Sequence, residues 1–240
     1  MKTICNYIDE KLTLNNQSKL DNRYHYQPKS FTALRSLLKK LLKERGKDAD
    51  MNDIDLSQID SFYDEHKFIG LFEGLDPHNI KIDKWKVGHV ISMHKMFNGC
   101  KNFNCNLSNW DVSECTDLCE MFNDCEKFDS NLSKWRTQNC TDMEYMFGNC
   151  VSFYGTGLER WDVRNVEDMN GMFNGCVKFN CNLSRWQVDN VTDMSCMFMG
   201  CTRFTCKGLE NWKPNCENMQ WMFEGCPLLK NKPSWYKERI

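Results

Sequence analysis

The sequence lacks a long hydrophobic run, holds only five prolines and carries almost no net charge. No stretch approaches the roughly 20 apolar residues of a transmembrane helix, and the first ten residues lack the apolar segment of a signal peptide. The 31 basic and 33 acidic residues give a formal charge of -2, which provides no electrostatic reason to expect nucleic acid or an anionic membrane as partner. We therefore expect no membrane insertion, and a cytoplasmic location for the chain as written.

Histidine and catalytic motifs are also scarce. The five histidines all lie within the first 100 residues, and none belongs to a nucleophile, metal or phosphate-loop motif. No C-x-x-C pair occurs. The acidic stretch at residues 48–65 lacks the glycine and the spaced glutamate of a calcium-binding EF-hand loop. These absences predict a protein without catalytic activity, cofactor or metal site.

What the chain does contain is a repeat, marked by tryptophan. Six tryptophans are spaced 25, 25, 26, 25 and 26 residues apart, at Trp85, Trp110, Trp135, Trp161, Trp186 and Trp212. Each is followed, eleven or twelve residues later, by the phenylalanine of a Met-Phe pair: Phe97, Phe122, Phe147, Phe173, Phe198 and Phe223. Periods of about 20 to 50 residues are typical of proteins whose units stack to bury a shared core.

The spacing within each unit predicts its local structure. Met194 to Cys201 has apolar residues at helical spacing, whereas Leu-x-x-Trp-x-Val contains the alternation of extended chain. The residue before the column cysteine, usually glycine as in Gly200, is suited to end a helix in the left-handed conformation. We therefore expect an α/β fold of stacked units, each a short strand followed by a short helix. The predicted core includes Trp110, Trp135, Trp161, Trp186, Phe122, Phe147, Phe173, Phe198, Cys125, Cys150, Cys176 and Cys201.

The chain has fifteen cysteines, and the repeat places many of them in columns. Six lie three residues after the Met-Phe phenylalanine, and three more occur where other units have valine, which indicates a small buried apolar residue. We predict free thiols in the core, although stacked units would bring neighbouring cysteines close enough to leave a disulfide possible. Asn106, Asn131, Asn182 and the aspartates at 117, 142, 168 and 193 also recur in register, and we expect them to satisfy backbone groups at turns.

Both ends of the chain differ from the repeat. Residues 30–45 have leucines on one helical face, with Ser30 placed to cap the start and Gly46 to end the helix. This amphipathic helix is suited to cover the open end of a stack. The predicted divisions are an N-terminal extension at 1–29, a helical cap with a degenerate first unit at 30–70, the repeats at 71–226 and a proline-bearing C-terminal cap at 227–240.

Units such as Trp161-Asp-Val-Arg-Asn-Val-Glu-Asp-Met-Asn-Gly-Met-Phe173-Asn-Gly-Cys176 resemble those of the BspA-like leucine-rich-repeat-type surface proteins. The resemblance covers the whole repeat region. It implies a right-handed leucine-rich-repeat-like solenoid with a ribbon of short parallel strands and an N-terminal capping helix. It also implies a role in binding or adhesion, and many family members are bacterial surface proteins.

The sequence favours a non-catalytic interaction scaffold, because a stack of units displays columns of outward residues on an extended face. A stripe of basic residues next to the tryptophans predicts an acidic protein partner or an anionic glycan. The candidate binding residues are Lys84, Lys134, Arg136, Arg160, Arg185 and Lys213. We expect a monomer, with a structural, self-assembling surface or virion subunit as the alternative.

Overall fold

The computed structural model describes residues 23–216 and 218–237, so most of the expected N-terminal extension lies outside the described residues. The regular elements are few. They are the helix α1 (Phe31–Arg45), the strands β1 (Tyr63–Asp64) and β2 (Ile69–Gly70), and a 3-10 helix at Leu158–Arg160. The two strands pair antiparallel, with Tyr63 opposite Gly70 and Asp64 opposite Ile69. No helix within the described ranges has the length and apolar character needed to cross a membrane.

Helix α1 begins and ends at the predicted residues. The side chain of Ser30 accepts a hydrogen bond from the Ala33 amide, and the Gly46 amide donates to the carbonyl of Leu42. These caps satisfy backbone groups that an α-helix leaves unpaired at its ends. The apolar face of α1 is buried, and Arg35 donates hydrogen bonds to the backbone carbonyls of Gly70 and Glu73. The helix is therefore fixed against the β1–β2 hairpin.

The predicted fold class is wrong. The part of the chain that the structure describes contains a single α-helix and one two-stranded antiparallel sheet, and the rest is turns and loops. Within the described residues, the repeats contain no strand and no α-helix, only the 3-10 turn at Leu158–Arg160, and they form no solenoid of parallel strands. The expectation of a right-handed leucine-rich-repeat-like solenoid with a strand and a helix in each unit is therefore overturned.

The hydrogen bonds of the Met-Phe segment explain why the predicted helix does not form. The amides of Cys196, Phe198 and Gly200 donate to carbonyls of the next repeat, at distances of 2.7–3.0 Å. The amides between them close turns within the repeat, as from Met197 to the carbonyl of Met194. An α-helix needs each amide to bond four residues back, and here every second amide is committed to a neighbouring repeat. The apolar residues of the Met-Phe segment therefore have helical spacing because tight turns, and not a helix, place them on one side.

The predicted extended segment is also built from turns. The amide of Trp186 donates to the carbonyl of Leu183, and the amide of Val191 donates to the carbonyl of Val188. The segment is therefore a succession of turns. The residue before the column cysteine is left-handed as expected, with φ of 73° at Gly200, 60° at Asp124 and 57° at Asn149. It stands within this series of turns, and no helix ends there.

Stacked aromatic rings hold successive repeats together. Phe72 and the six Met-Phe phenylalanines form a column that ends at Phe223, with neighbouring ring centroids 5.2–5.8 Å apart. The indole Nε1 of each column tryptophan donates to a backbone carbonyl of an earlier repeat, at 2.7–3.1 Å. Because a buried indole N–H needs a partner, this bond fixes the register of one repeat on the next. All twelve residues of the predicted core are buried.

The column cysteines contribute to the same register. Every cysteine of the described residues is a free thiol, as predicted. Each thiol of the main column lies 2.8–3.3 Å from the carbonyl oxygen of a phenylalanine in the preceding repeat, as Cys176 does at Phe147. Burial raises the pKa of Cys150 and Cys176 well above its ordinary range. These thiols are packing groups that also donate weak hydrogen bonds.

Candidate interaction face

The stack aligns four aspartates, here called the acidic column: Asp117, Asp142, Asp168 and Asp193. Single parallel bridges link each of them to the next, and Ser92 and Asn218 continue the line at its two ends. In every one, a carboxylate oxygen accepts the backbone amide two residues further on, at 2.7–3.0 Å. The predicted role of these aspartates at turns is confirmed, and the equivalent bonds of Asn106, Asn131 and Asn182 confirm it for the asparagines.

The second carboxylate oxygen distinguishes the members of the column. At Asp117 it accepts a hydrogen bond from Ser92 Oγ at 2.9 Å and lies 3.4 Å from His94 Nδ1. At Asp193 it accepts from Asn218 Nδ2 at 2.5 Å. Among the described residues, no side chain donates to Asp142 or Asp168, and neither has an ion-pair partner. The centre of the acidic column therefore carries uncompensated carboxylates.

The electrostatics follow from these contacts. Burial, together with the negative charges of Asp117 and Asp168, raises the pKa of Asp142. Burial and the neighbouring charge of Asp193 likewise raise the pKa of Asp168. Burial also favours a higher pKa at Asp117, but hydrogen bonds from His94, the Cys119 amide and Ser92 outweigh it and lower the value. A cation placed along the middle of the column would relieve this repulsion.

Two further positions in each repeat flank the column. They lie two and three residues after the column position, which is an aspartate, Ser92 or Asn218. We call the column position and these two positions together the acidic face. The third position is left-handed in every repeat, with φ between 47° and 57°. Its occupants are Lys95, Glu120, Tyr145, Gly171, Cys196 and Trp221. Gly171 leaves room for the ring of Tyr145, from which a Cβ atom at this position would lie 2.5 Å away. Tyr145 thus lies across the neighbouring repeat.

Trp221 stands at the C-terminal end of the acidic face. It is 62% exposed, whereas the seven other tryptophans belong to the buried or half-buried column. Exposed aromatic residues beside charged groups are typical of the contacts that dominate binding energy in protein interfaces. The face therefore combines carboxylates with two aromatic side chains, Tyr145 and Trp221.

The N-terminal end of the acidic face has different chemistry. A ring nitrogen of His94, the thiol of Cys119 and a carboxylate oxygen of Glu120 lie within 4.8 Å of one another. The ring of Tyr63 packs on His94, with centroids 4.2 Å apart. Lys95 Nζ lies 3.3 Å from Glu120 Oε1. This arrangement joins nitrogen, sulfur and oxygen donors contributed by two successive repeats.

The six residues of the predicted basic stripe are all exposed. Arg160 and Arg185 line one shallow depression together with Arg164 and Gln187, so the stack brings part of the stripe together. Acidic side chains interrupt it: Asp162 lies 2.7 Å from Arg164, and Arg160 lies 4.0 Å from Glu159. Lys134 donates to Asn109 at 2.9 Å.

The repeat region matches the family described as "Mycoplasma protein of unknown function, DUF285". The match occurs twice, over residues 66–157 and 147–236, and so covers more than half of the chain. The chain belongs to this DUF285 family. No curated protein and no solved structure shows significant similarity to it. DUF285 membership therefore identifies the repeat, and the surface chemistry above has to indicate what this member binds.

Sequence reasoning identified the aspartates only as turn residues and overlooked the cluster at His94. The signal was present, because His94 and Cys119 are 25 residues apart, which is one repeat. Residues one repeat apart lie side by side in the stack, so the repeat alignment already placed the imidazole next to the thiol. The sequence carried no comparable indication that Asp142 and Asp168 lie side by side without a counter-charge, because this depends on which side chains point toward the column.

Proposed function

We propose that this protein is a non-catalytic interaction scaffold that binds a macromolecular partner through the surface of its repeats. The partner segment is cationic, and it lies along the acidic face. The observation that carries this proposal is the line of uncompensated, half-buried carboxylates at Asp142 and Asp168. Lysine or arginine side chains of a partner would supply the counter-charge that the described residues do not provide.

The construction of the repeat supports a binding role. Aromatic and thiol columns are nearly the same in every repeat, and they hold the backbone in a fixed register. The positions beside the acidic column vary: two residues after the column aspartates and Asn218 stand Cys119, Glu144, Asn170, Ser195 and Gln220. A constant frame with variable outward side chains suits an extended surface for one partner. Tyr145 and Trp221 would supply apolar contacts beside the charges.

The basic stripe is a second candidate surface, for an acidic protein or an anionic glycan. The observation in its favour is the shared depression lined by Arg160, Arg164 and Arg185. Glu159 and Asp162 lie next to its arginines, whereas among the described residues Asp142 and Asp168 of the acidic face have no ion-pair partner. The acidic face is therefore the stronger candidate.

The resemblance to BspA-like surface proteins supports binding or adhesion in preference to catalysis. The alternative is a structural subunit that assembles with copies of itself. Size-exclusion chromatography with light scattering separates the two, because the scaffold is a monomer at all accessible concentrations and a self-assembling subunit grows with concentration.

Crosslinking capture from native lysate tests the proposal with two matched variants. The acidic-face variant carries Asp142→Asn, Asp168→Asn and Asp193→Asn, which keep the oxygen that accepts the turn amide. The basic-stripe variant carries Lys134→Glu, Arg160→Glu and Arg185→Glu. We expect the acidic-face variant to lose a specific basic partner that the basic-stripe variant retains, and binding by the wild type to weaken as salt rises.

Each other outcome contradicts part of the proposal. Loss of the partner only in the basic-stripe variant would assign binding to the stripe. Retention in both variants would exclude both surfaces. Capture of only the protein itself would favour the self-assembling subunit.

A further inference from the structure

We propose that His94, Cys119 and Glu120 form a binding site for a transition-metal dication, best suited to Zn²⁺, with Glu144 available as a fourth ligand. The inference goes beyond the proposed scaffold role and does not depend on it. It contradicts the expectation, drawn from the sequence, that the chain has no metal site.

The donor set and its geometry carry the proposal. The three ligand atoms lie within 4.8 Å of one another, so small side-chain rotations place all of them around one ion. Glu144 Oε2 lies 3.8 Å from Cys119 Sγ, on the next repeat. Imidazole nitrogen, thiolate sulfur and carboxylate oxygen are the ligands that Zn²⁺ takes in proteins, usually in tetrahedral arrangement.

The surroundings already orient two of the ligands. Asp117 Oδ2 lies 3.4 Å from His94 Nδ1, and the ring of Tyr63 packs on the imidazole. A carboxylate on one imidazole nitrogen is the contact that commonly orients a histidine for metal binding through the other. Asn98 Nδ2 donates to Glu120 Oε2 at 2.6 Å, and Lys95 Nζ lies 3.3 Å from Glu120 Oε1. Each partly exposed ligand is thus held by a neighbouring side chain.

The repeat does not require these residues. Cys119 stands outside the main cysteine column, at a position occupied in other repeats by His94, Glu144, Asn170, Ser195 and Gln220. It is nevertheless only 3% exposed. A buried thiol on a polar face, next to an imidazole and two carboxylates, is not explained by packing of the core.

Metal binding would change the charge of the site in a defined way. Burial and nearby carboxylates raise the pKa of the Cys119 thiol, so the thiol is protonated in the metal-free protein. Coordination requires the thiolate, and the thiol proton is released to solvent as the Zn–S bond forms. The dication would also offset negative charge near Glu144, whose pKa is raised by burial first and then by the charges of Asp168, Asp142 and Glu120.

The test uses the full chain, stripped with chelator and titrated with Zn²⁺ by calorimetry and with Co²⁺ by absorption spectroscopy. We expect one metal per chain, with a sulfur-to-cobalt charge-transfer band and the strong visible absorption of tetrahedral Co²⁺. Cys119→Ser removes the charge-transfer band, and Cys119→Ser, His94→Ala and Glu120→Gln each weaken Zn²⁺ binding by at least about 10-fold. Cys196→Ser, a cysteine of the same face outside the cluster, leaves both readouts unchanged.

Thermal unfolding of each protein without and with added Zn²⁺ separates a loss of metal binding from a failure of the variant to fold. Zn²⁺ raises the unfolding temperature of the wild type and of Cys196→Ser equally, and it raises that of Cys119→Ser by less at the same concentration. The proposal is overturned if the wild type binds no Zn²⁺, if its Co²⁺ spectrum lacks the thiolate band, or if folded Cys119→Ser binds as tightly as the wild type.

Discussion

Trp235 stacks on Trp212, with ring centroids 6.1 Å apart, and its indole Nε1 donates to the carbonyl oxygen of Leu209 at 2.7 Å. The tryptophan column thus extends into the segment that the sequence assigned to the C-terminal cap. The interval between the two tryptophans is 23 residues, shorter than the 25 or 26 of the other repeats. Ring stacking and the indole hydrogen bond therefore govern the position of the chain, and the connecting turns adapt in length.

The tryptophan column predicts where truncation is costly. Trp161 is 3% exposed, stacks on Trp135 at 6.0 Å and donates to the Leu132 carbonyl at 3.1 Å. We expect Trp161→Ala to lower the free energy of unfolding by about 3–5 kcal/mol, because it opens a cavity and removes the indole hydrogen bond to Leu132. Denaturant unfolding measures the loss. Trp221→Ala is the control, and at 62% exposure it should change stability by no more than about 0.5 kcal/mol. Equal losses would contradict the column's role.

The sequence was sufficient to predict the buried core residues and the ends of α1. It was not sufficient to predict the backbone conformation of the repeats. Periodicity identified Trp161, Phe173 and Cys176 as one buried set, because burial repeats with the unit. It did not separate a helix from a series of turns, since both place apolar residues three apart. The deciding factor is the destination of amides such as that of Phe198, which donates to Met222 in the next repeat. A hydrogen bond between two repeats cannot be inferred from the spacing of apolar residues within one repeat.

Cysteine reactivity should follow burial. Burial raises the pKa of the Cys150 and Cys176 thiols well above its ordinary range, and both side chains are fully buried. Because the thiolate is the reactive form, we expect these cysteines to resist a short N-ethylmaleimide pulse at pH 8. Among the cysteines that the structure describes, the partly exposed Cys196 and Cys216 should be labelled before these two. Peptide mass spectrometry gives the order, with urea-unfolded protein as the fully labelled control. Early labelling of Cys176 would contradict the packing.

The acidic column predicts a stability difference that depends on pH. The pKa of Asp142 in the folded protein is raised above its ordinary 3.8, so ionisation destabilises the fold above the folded pKa. Asp142→Asn should therefore stabilise the protein at pH 7, by about 0.2–1 kcal/mol, as expected for removing one of two adjacent like charges. Asn218 already occupies this column. The gain should shrink as pH falls through the folded pKa, and disappear below the ordinary value.

Asp117→Asn is the matched substitution with the opposite sign. Despite burial, donors from His94, the Cys119 amide and Ser92 lower the pKa of Asp117 below 3.8. Its ionised form therefore stabilises the fold above the ordinary value, and this contribution is lost as pH falls through the folded pKa. We expect Asp117→Asn to destabilise the protein at pH 7 and to match the wild type in strong acid. Urea titrations at several pH values measure both variants, and a common sign would contradict the charge distribution.

The junction between the hairpin and the first stacked repeat should be unusually sensitive to a single methyl group. A Cβ atom on Gly70 would lie 1.8 Å from the backbone oxygen of Lys95, and no side-chain movement relieves that clash. Arg35 of α1 donates to the carbonyl of Gly70 at 2.6 Å, so displacement of the hairpin would also disturb the helix. We expect Gly70→Ala to lower the free energy of unfolding by about 1–3 kcal/mol and to speed hydrogen exchange of the α1 amides.

Gly99→Asn is the control: the site has open space and a φ of +71°, and Asn149 adopts the same conformation in another repeat at +57°. Asparagine tolerates that conformation, so this change should stay within about 0.5 kcal/mol. If Gly70→Ala were equally mild, the hairpin could not be packed against the Lys95 backbone.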